Sequence, residues 1–150
     1  MKNRGFEIVS VYEGNNIILP ERKTDKSAGY DIACAEDAIL KAGKVTLIPT
    51  GLKAYMNDDE YLGIHIRSSI ALKNSLSFIN GQGIIDADYY NNANNEGHIM
   101  LAVFNHASTD FSVKKGTRLA QGIFYKYLMT DGDSNDKGLV RHGGMGSTGV

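Results

Sequence analysis

"YLGIHIRSS", Tyr61 to Ser69, alternates apolar residues at Leu62, Ile64 and Ile66. A period of two is the mark of a strand with one buried face. Arg67 ends the alternation, and two hydroxyls, Ser68 and Ser69, follow at once. The stretch therefore sets a strand and, at its end, a group of anion-binding side chains.

The rest of the chain repeats the first half of that pattern. "FEIVSVY" alternates from Phe6 to Ile8, slips, and resumes at Val9 and Val11. "KVTLIPTGLKAYM" reads as two strand pieces divided by Pro49 and Gly51, and "HIMLAVFN" and "LAQGIFYKYLM" are further apolar runs of strand length. Turn chemistry recurs about every ten residues, at Glu13–Asn16, Lys41–Gly43, Met56–Asp59, Asn91–Asn95 and Lys114–Gly116. Many short strands at that spacing predict an all-β sandwich or barrel. One short helix is expected, near Ser69 to Asn74, and no internal repeat is present. The polar stretch "TDGDSNDKG" reads as a connector into "RHGGMGSTGV", so residues 1–130 are expected to form the folded domain and 131–150 a flexible linker and glycine-rich arm.

At 150 residues the chain suits a single domain with a real core. Its net charge of −1 gives no general attraction to nucleic acid or an anionic membrane, so any basic site must be local. The single cysteine, Cys34, has no intrachain partner and no CxxC spacing, which fits a reducing, cytoplasmic setting. The start lacks the apolar segment of a signal peptide, and no apolar run is long enough to span a bilayer.

Five places hold residues suited to chemistry. In "TDKSAGYDIA", Gly29 allows a bend before Asp31, a carboxylate that reads either as a solvated turn residue or as a partner for hydrated Mg²⁺. In "IRSSIALK", Arg67, Ser68 and Ser69 suit phosphate, with a helix start adding free N–H groups, or else form an edge arginine and a cap. In "INGQGIIDADYYNN", Gly81 and Gly83 flank Gln82 and open the backbone to a ligand. Strict alternation would put Asp86 and Tyr89 on opposite faces, so a shared ligand requires the chain to turn after Asp86. "GTRLAQ" carries Arg118 and Gln121. The arm carries Arg141 and a backbone from Gly144 that can wrap an anion.

Taken in order, Thr-x-x-Ser-Ala-Gly-Tyr-Asp, Arg-Ser-Ser-x-Ala-x-Lys, Gly-x-Gly-Ile-Ile-Asp-x-Asp-Tyr, Arg-x-Ala-Gln and Gly-Ser-Thr-Gly resemble the five motifs of the trimeric dUTPases, from Pro20 to Gly149. The resemblance implies a distorted jelly-roll, barrel-like domain that forms a homotrimer with exchanged C-terminal arms. It implies Mg²⁺-dependent hydrolysis of dUTP to dUMP and pyrophosphate at sites shared between chains. Asp86 would be the general base for water attacking the α-phosphorus, and Asp31 would hold the metal through water. Arg67, Ser68, Ser69 and Gln121 would bind phosphate. Asn80 with the Gly81–Ile84 backbone and Ile85 would line a uracil slot, Gly83 included. Tyr89 would pack on the deoxyribose and refuse a 2′-hydroxyl. Arg141, Met145, Gly146 and Ser147 would close over the substrate, with Met145 standing where the family usually has phenylalanine and Arg141 one residue nearer to it than usual. Asp88 reads as a hairpin-stabilising residue. The Asn91–Asn95 loop is longer than the family's tight hairpin, and Glu96 and His98 read as surface polar groups. A dCTP deaminase shares the fold, but the Asp86-x-Asp88-Tyr89 pattern with Asn80 argues against it. If the chain is of phage type, a repressor-type regulatory partner on the enlarged loop is a second expectation.

Overall fold

The alternation at Tyr61–Ser69 resolves into the centre of the largest sheet. The computed structural model describes residues 1–134 and 137–146. Its strands are β1 Gly5–Ile8, β2 Tyr30–Ala33, β3 Ala38–Leu40, β4 Val45–Pro49, β5 Leu52–Tyr55, β6 Glu60–Ile66, β7 Leu76–Phe78, β8 Gly83–Asp86, β9 Met100–Asn105, β10 Phe111–Val113 and β11 Arg118–Lys126. A single α-helix among the described residues, α1 Ser68–Asn74, follows β6. Every strand pairing is antiparallel: β1 with β5, β3 with β10, a three-stranded sheet β4-β9-β7, and a four-stranded sheet β2-β11-β6-β8. The all-β expectation holds.

Burial follows the period of two. Leu62 and Ile64 of β6 are buried, and so are Ile32 of β2 and Ala120 of β11 on the same side of the sheet. They meet Leu40, Ile48, Leu101 and Val103 from the other sheets in one core. Removing this apolar area from water is the main stabilising term. The opposite side of the four-stranded sheet carries Asp31, Gln121, His65 and Tyr61, in register across β2, β11 and β6. Four of the five turn signals contain a residue at positive φ: Gly14 and Asn16, Gly43, Asn91, and Gly116. Gly or Asn is what such a backbone tolerates.

Two local expectations differ from what forms. The first strand stops at Ile8 and does not reach Val11, which is exposed. Val9 N–H donates to Gly51 O, and Ser10 donates its N–H and hydroxyl to Glu96, so the chain leaves the ladder and turns into a 3₁₀ turn at Ser10–Tyr12. The helix begins one residue early, at Ser68, with Arg67 in extended conformation as its cap residue.

Leu62 lies under Ile85 at the joint of β6 and β8. Leu62→Ala is expected to cost about 2–5 kcal/mol, read as a lower urea midpoint with an unchanged slope. A change no larger than the roughly 0.5 kcal/mol of a surface substitution would contradict this packing.

Candidate active site

The sequence-predicted residues fall into two groups, one past the Ile66 end of β6 and the other along β8, which pairs with β6 from Gly83 at Ile64 to Asp86 at Tyr61. The first is built where β2 and β11 run beside the end of β6. Asp31 pairs in register with Gln121, and Gln121 with His65. Gln121 lies against Gly29, where any side chain would overlap its amide oxygen, so the glycine before Asp31 makes room for Gln121. Asp31 is only 10% exposed and sits 3.6 Å from Arg67 Nε and 3.6 Å from Arg118 Nη1. Its Oδ2 is buried with no hydrogen-bond partner among the described residues. Arg67 also donates to Arg118 O at 3.1 Å, while Ser68 and Ser69 stand exposed at the first turn of α1. Two guanidiniums and an amide thus gather beside the Asp31 carboxylate, with two exposed hydroxyls following Arg67 in the chain.

The second group surrounds a cleft of about 270 Å³ at β8. Asn80, Gly83, the chain of Ile84 and Ile85, Asp86, Tyr89, Arg141, Gly144 and Met145 line it. Its apolar floor comes from Ile64, Phe78 and the β9 residues Met100 to Ala102, which sequence reasoning did not assign to the site because they read only as another strand. β8 is the edge of its sheet, so alternate residues keep N–H and C=O groups free of a ladder partner. Gly81 takes φ +79, which makes the bend into this edge possible. After Asp86 the chain leaves the strand for a 3₁₀ turn, Ala87–Tyr89. This turn after Asp86 brings the carboxylate and the phenol to one cleft, as a shared ligand requires.

The arm returns to the same cleft within the chain. Arg141 donates from Nη2 to Asp86 Oδ2 and from Nε to Asp88 Oδ1, both at 2.7 Å. Asp88 is therefore an anchor for the arm and does not brace a hairpin. Gly144 lies on the Tyr89 ring, where an added Cβ would come within 2.9 Å of Cε1. Met145 takes φ +52 and lines the cleft while largely exposed, and Gly146 is exposed beyond it. Ser147 lies outside the described residues.

Glu96 and His98 are not loose surface groups. Glu96 accepts from Lys53 Nζ at 2.7 Å and from the N–H and hydroxyl of Ser10. The bond from Lys53, then those from Ser10, hold the Glu96 carboxyl down at about 2. Burial lowers the His98 imidazole below its ordinary value, and its Nε2 accepts from Gly51 N–H. Among the described residues no three His, Cys, Asp or Glu side chains converge as a metal cluster. No helix is long and apolar enough to cross a membrane, again among those residues.

The dUTPase family model matches residues 15–149. The chain is 48% identical, over the full length of both, to the deoxyuridine 5′-triphosphate nucleotidohydrolase of Lactococcus lactis subsp. lactis. It is 36% identical to the same-named protein of Oryza sativa subsp. japonica, over 90% of this chain and 76% of that one. The solved dUTPase of Streptococcus mutans is 44% identical with a TM-score of 0.81, covering 85% of this chain and 99% of that one. The dUTPase of the S. aureus phage phi11 shares the fold, with a TM-score of 0.74 at 19% identity over 91% of this chain and 97% of that one.

Because the folded Glu96 value lies below its ordinary 4.5, its contribution to stability is whole above that pH and is lost as pH falls toward 2. Glu96→Gln is expected to lower stability by about 1–3 kcal/mol at pH 7, and to flatten part of the decline on acidification. Urea midpoints measured from pH 7 to pH 3 check this. Parallel curves for the two proteins would contradict it.

Proposed function

The chain belongs to the dUTPase family and is by that membership a dUTP diphosphatase; we propose that it hydrolyses dUTP to dUMP and pyrophosphate with Asp86 as general base, in a homotrimer whose chains share each site. One observation carries the shared site. Asp86 pairs with Tyr61 at one end of β6, while Arg67 lies just past the other end. Six residue steps of extended chain separate Tyr61 from Arg67, or about 20 Å. No phosphate within reach of Asp86 is then within reach of the same chain's Arg67. A second copy has to supply one of the two, and cyclic symmetry makes three equivalent sites from three chains. Residues 1–130 form the catalytic body in this reading, and residues 131–150 its linker and arm. The arm that closes a given site comes from another chain and lies there over Tyr89 as it does here, with Arg141 turned to the terminal phosphate.

Uracil enters the β8 cleft beside Asn80. A free C=O on the strand edge accepts from uracil N3–H, and a free N–H donates to O4. Cytosine offers the reversed pattern and would leave both backbone groups unpaired, at about 1–3 kcal/mol each. The Tyr89 ring, beside the cleft, forms the wall against which a deoxyribose fits and a 2′-hydroxyl does not. Met145 covers the base as a thioether, with less area than a ring.

Arg67, Ser68, Ser69 and Gln121 bind phosphate oxygens from the partner chain. Asp86 orients a water and takes its proton as the water oxygen bonds to the α-phosphorus. The bond from that phosphorus to the bridging oxygen breaks, and pyrophosphate leaves with the electron pair. Asp86 Oδ2 accepts from Arg141, so Arg141 competes with water for that carboxylate oxygen. The terminal phosphate is the group that draws Arg141 away, which couples arm closure to release of the base. Asp31 would hold Mg²⁺ through water, a role its buried and unpartnered Oδ2 fits. When bound, the ion withdraws charge from the triphosphate and improves the leaving group. If the chain is of phage type, a regulatory protein would meet this loop at the exposed Asn91, Ala93 and Asn94, since Asn92 and Asn95 are bonded to Tyr89.

Pyrophosphate release should follow dUTP far ahead of dTTP, dCTP and UTP, and should require Mg²⁺. Asp86→Asn should lose on the order of 10²–10⁴ in rate while still assembling. Arg67→Ala should also be nearly inactive. Refolded together, the two variants should regain turnover, because some sites then combine an intact Arg67 with an intact Asp86. Mixed assemblies that stay inactive would contradict the shared site.

A further inference from the structure

Between Tyr89 and β9 the chain makes a loop whose Asn92 side chain turns inward, while Asn91, Ala93 and Asn94 stay exposed. Asn92 is 7% exposed. Its Nδ2 donates to Tyr89 O and to Asn95 Oδ1, both at 2.7 Å, and its Oδ1 accepts from the N–H groups of Asn94 and Asn95. One buried amide therefore fixes the loop around itself. Asn95 stands on that hub. Its Oδ1 also accepts from Gly97 N–H, which leaves its Nδ2 to donate to Tyr89 Oη at 2.8 Å. The Tyr89 hydroxyl in turn donates to His98 O at 2.8 Å. The phenol is thus held from both sides, by a donor and an acceptor that the loop supplies.

From this network we propose that Asn95 is a positioning residue that fixes the Tyr89 ring and thereby sets how strongly the site refuses a ribose 2′-hydroxyl. A bare aromatic wall can tilt. Excluding one hydroxyl demands that the wall stay put to within a fraction of an ångström, since an ordinary rotamer fluctuation would open the space. Two hydrogen bonds at the far end of the ring restrict that tilt without touching the ligand. Below the loop, Lys53 grips Asn91 Oδ1 and Glu96, which ties both ends of the segment to β5. The enlarged loop, in place of a two-residue turn, is then a bracket for the ring. The proposal rests on the dUTPase reading for the identity of the ligand, but binding alone can test it.

The experiment measures calorimetric affinity for dUMP and UMP in the wild type, Asn95→Ala, Tyr89→Phe and the double variant, together with pyrophosphate release from dUTP and UTP. Losing one neutral hydrogen bond of about 1 kcal/mol corresponds to roughly a fivefold change. Asn95→Ala should therefore narrow the preference for dUMP about fivefold, chiefly by raising UMP affinity, and Tyr89→Phe, which also gives up the bond to His98 O, at least as much. The double variant should narrow it no further than Tyr89→Phe alone, because the bond that Asn95→Ala takes from the ring is already gone there. Equal losses toward dUMP and UMP, an unchanged preference, or additive effects would overturn the proposal. Should Asn95→Ala fail to fold, Tyr89→Phe leaves the loop network intact and decides alone: an unchanged preference overturns the proposal. Absence of wild-type turnover on dUTP would sink the functional reading separately, while the binding preference still reports on Asn95.

Discussion

The distance along β6 is the constraint on which the rest depends. A seven-residue antiparallel strand is stiff, and its ends cannot be brought together without breaking the ladder to β11. The sequence puts a cationic, hydroxyl-rich cluster past one end and a carboxylate with a phenol beside the other. In the proposed reaction each cluster alone is incomplete: the first holds the groups proposed for phosphate, and the second holds the proposed base and an apolar slot but, among the described residues, no lining cation other than Arg141. Closing one site from two or more copies, as proposed, would resolve this with the strand left intact. It also explains why one side of the four-stranded sheet keeps His65, Gln121 and Tyr61 in register, half-exposed, over a buried underside.

The arm and the loop after Tyr89 work on the same cleft from two directions. Asn94 N–H donates to His142 O, and Gly143 lies against the Asn94 side chain where a Cβ would come within 2.9 Å of Nδ2. The next glycine, Gly144, lies on the Tyr89 ring. The arm therefore lands on a surface that the loop has already fixed. Small residues at these two positions are a contact requirement as well as a source of backbone freedom. Arg141 adds charge pairing to Asp86 and Asp88, both of which are about half-exposed, so this contact is weak enough for a phosphate to displace.

Much of the fold was legible because its signal is local. The alternation at Leu62, Ile64 and Ile66, and the Gly and Asn turn residues, report their own burial and backbone state. The bend after Asp86 was legible only as a condition, since strict alternation separates Asp86 from Tyr89 and a shared ligand required a turn between them. What was not legible depends on partners far along the chain. Glu96 and His98 read as surface groups because Lys53, Ser10 and Gly51, which hold them, lie 43, 86 and 47 residues away. Asp88 read as a local hairpin residue because Arg141, its partner, is 53 residues downstream. Val11 read as strand because its apolar character fits the period, while the bonds that end β1 belong to Glu96 and Gly51. The floor of the cleft was hidden in an ordinary strand pattern, since nothing in Met100 to Ala102 distinguishes a core position from a pocket wall.

The most direct measurement is a crystal structure of the assembled protein with a non-hydrolysable dUTP analogue in which nitrogen replaces the oxygen between the α- and β-phosphorus. The expected density has the α-phosphate within hydrogen-bonding reach of Arg67 from one protomer, with Asp86 and Tyr89 of a different protomer on its other side. A ligand whose phosphates meet Arg67 and Asp86 of the same protomer would contradict the shared site.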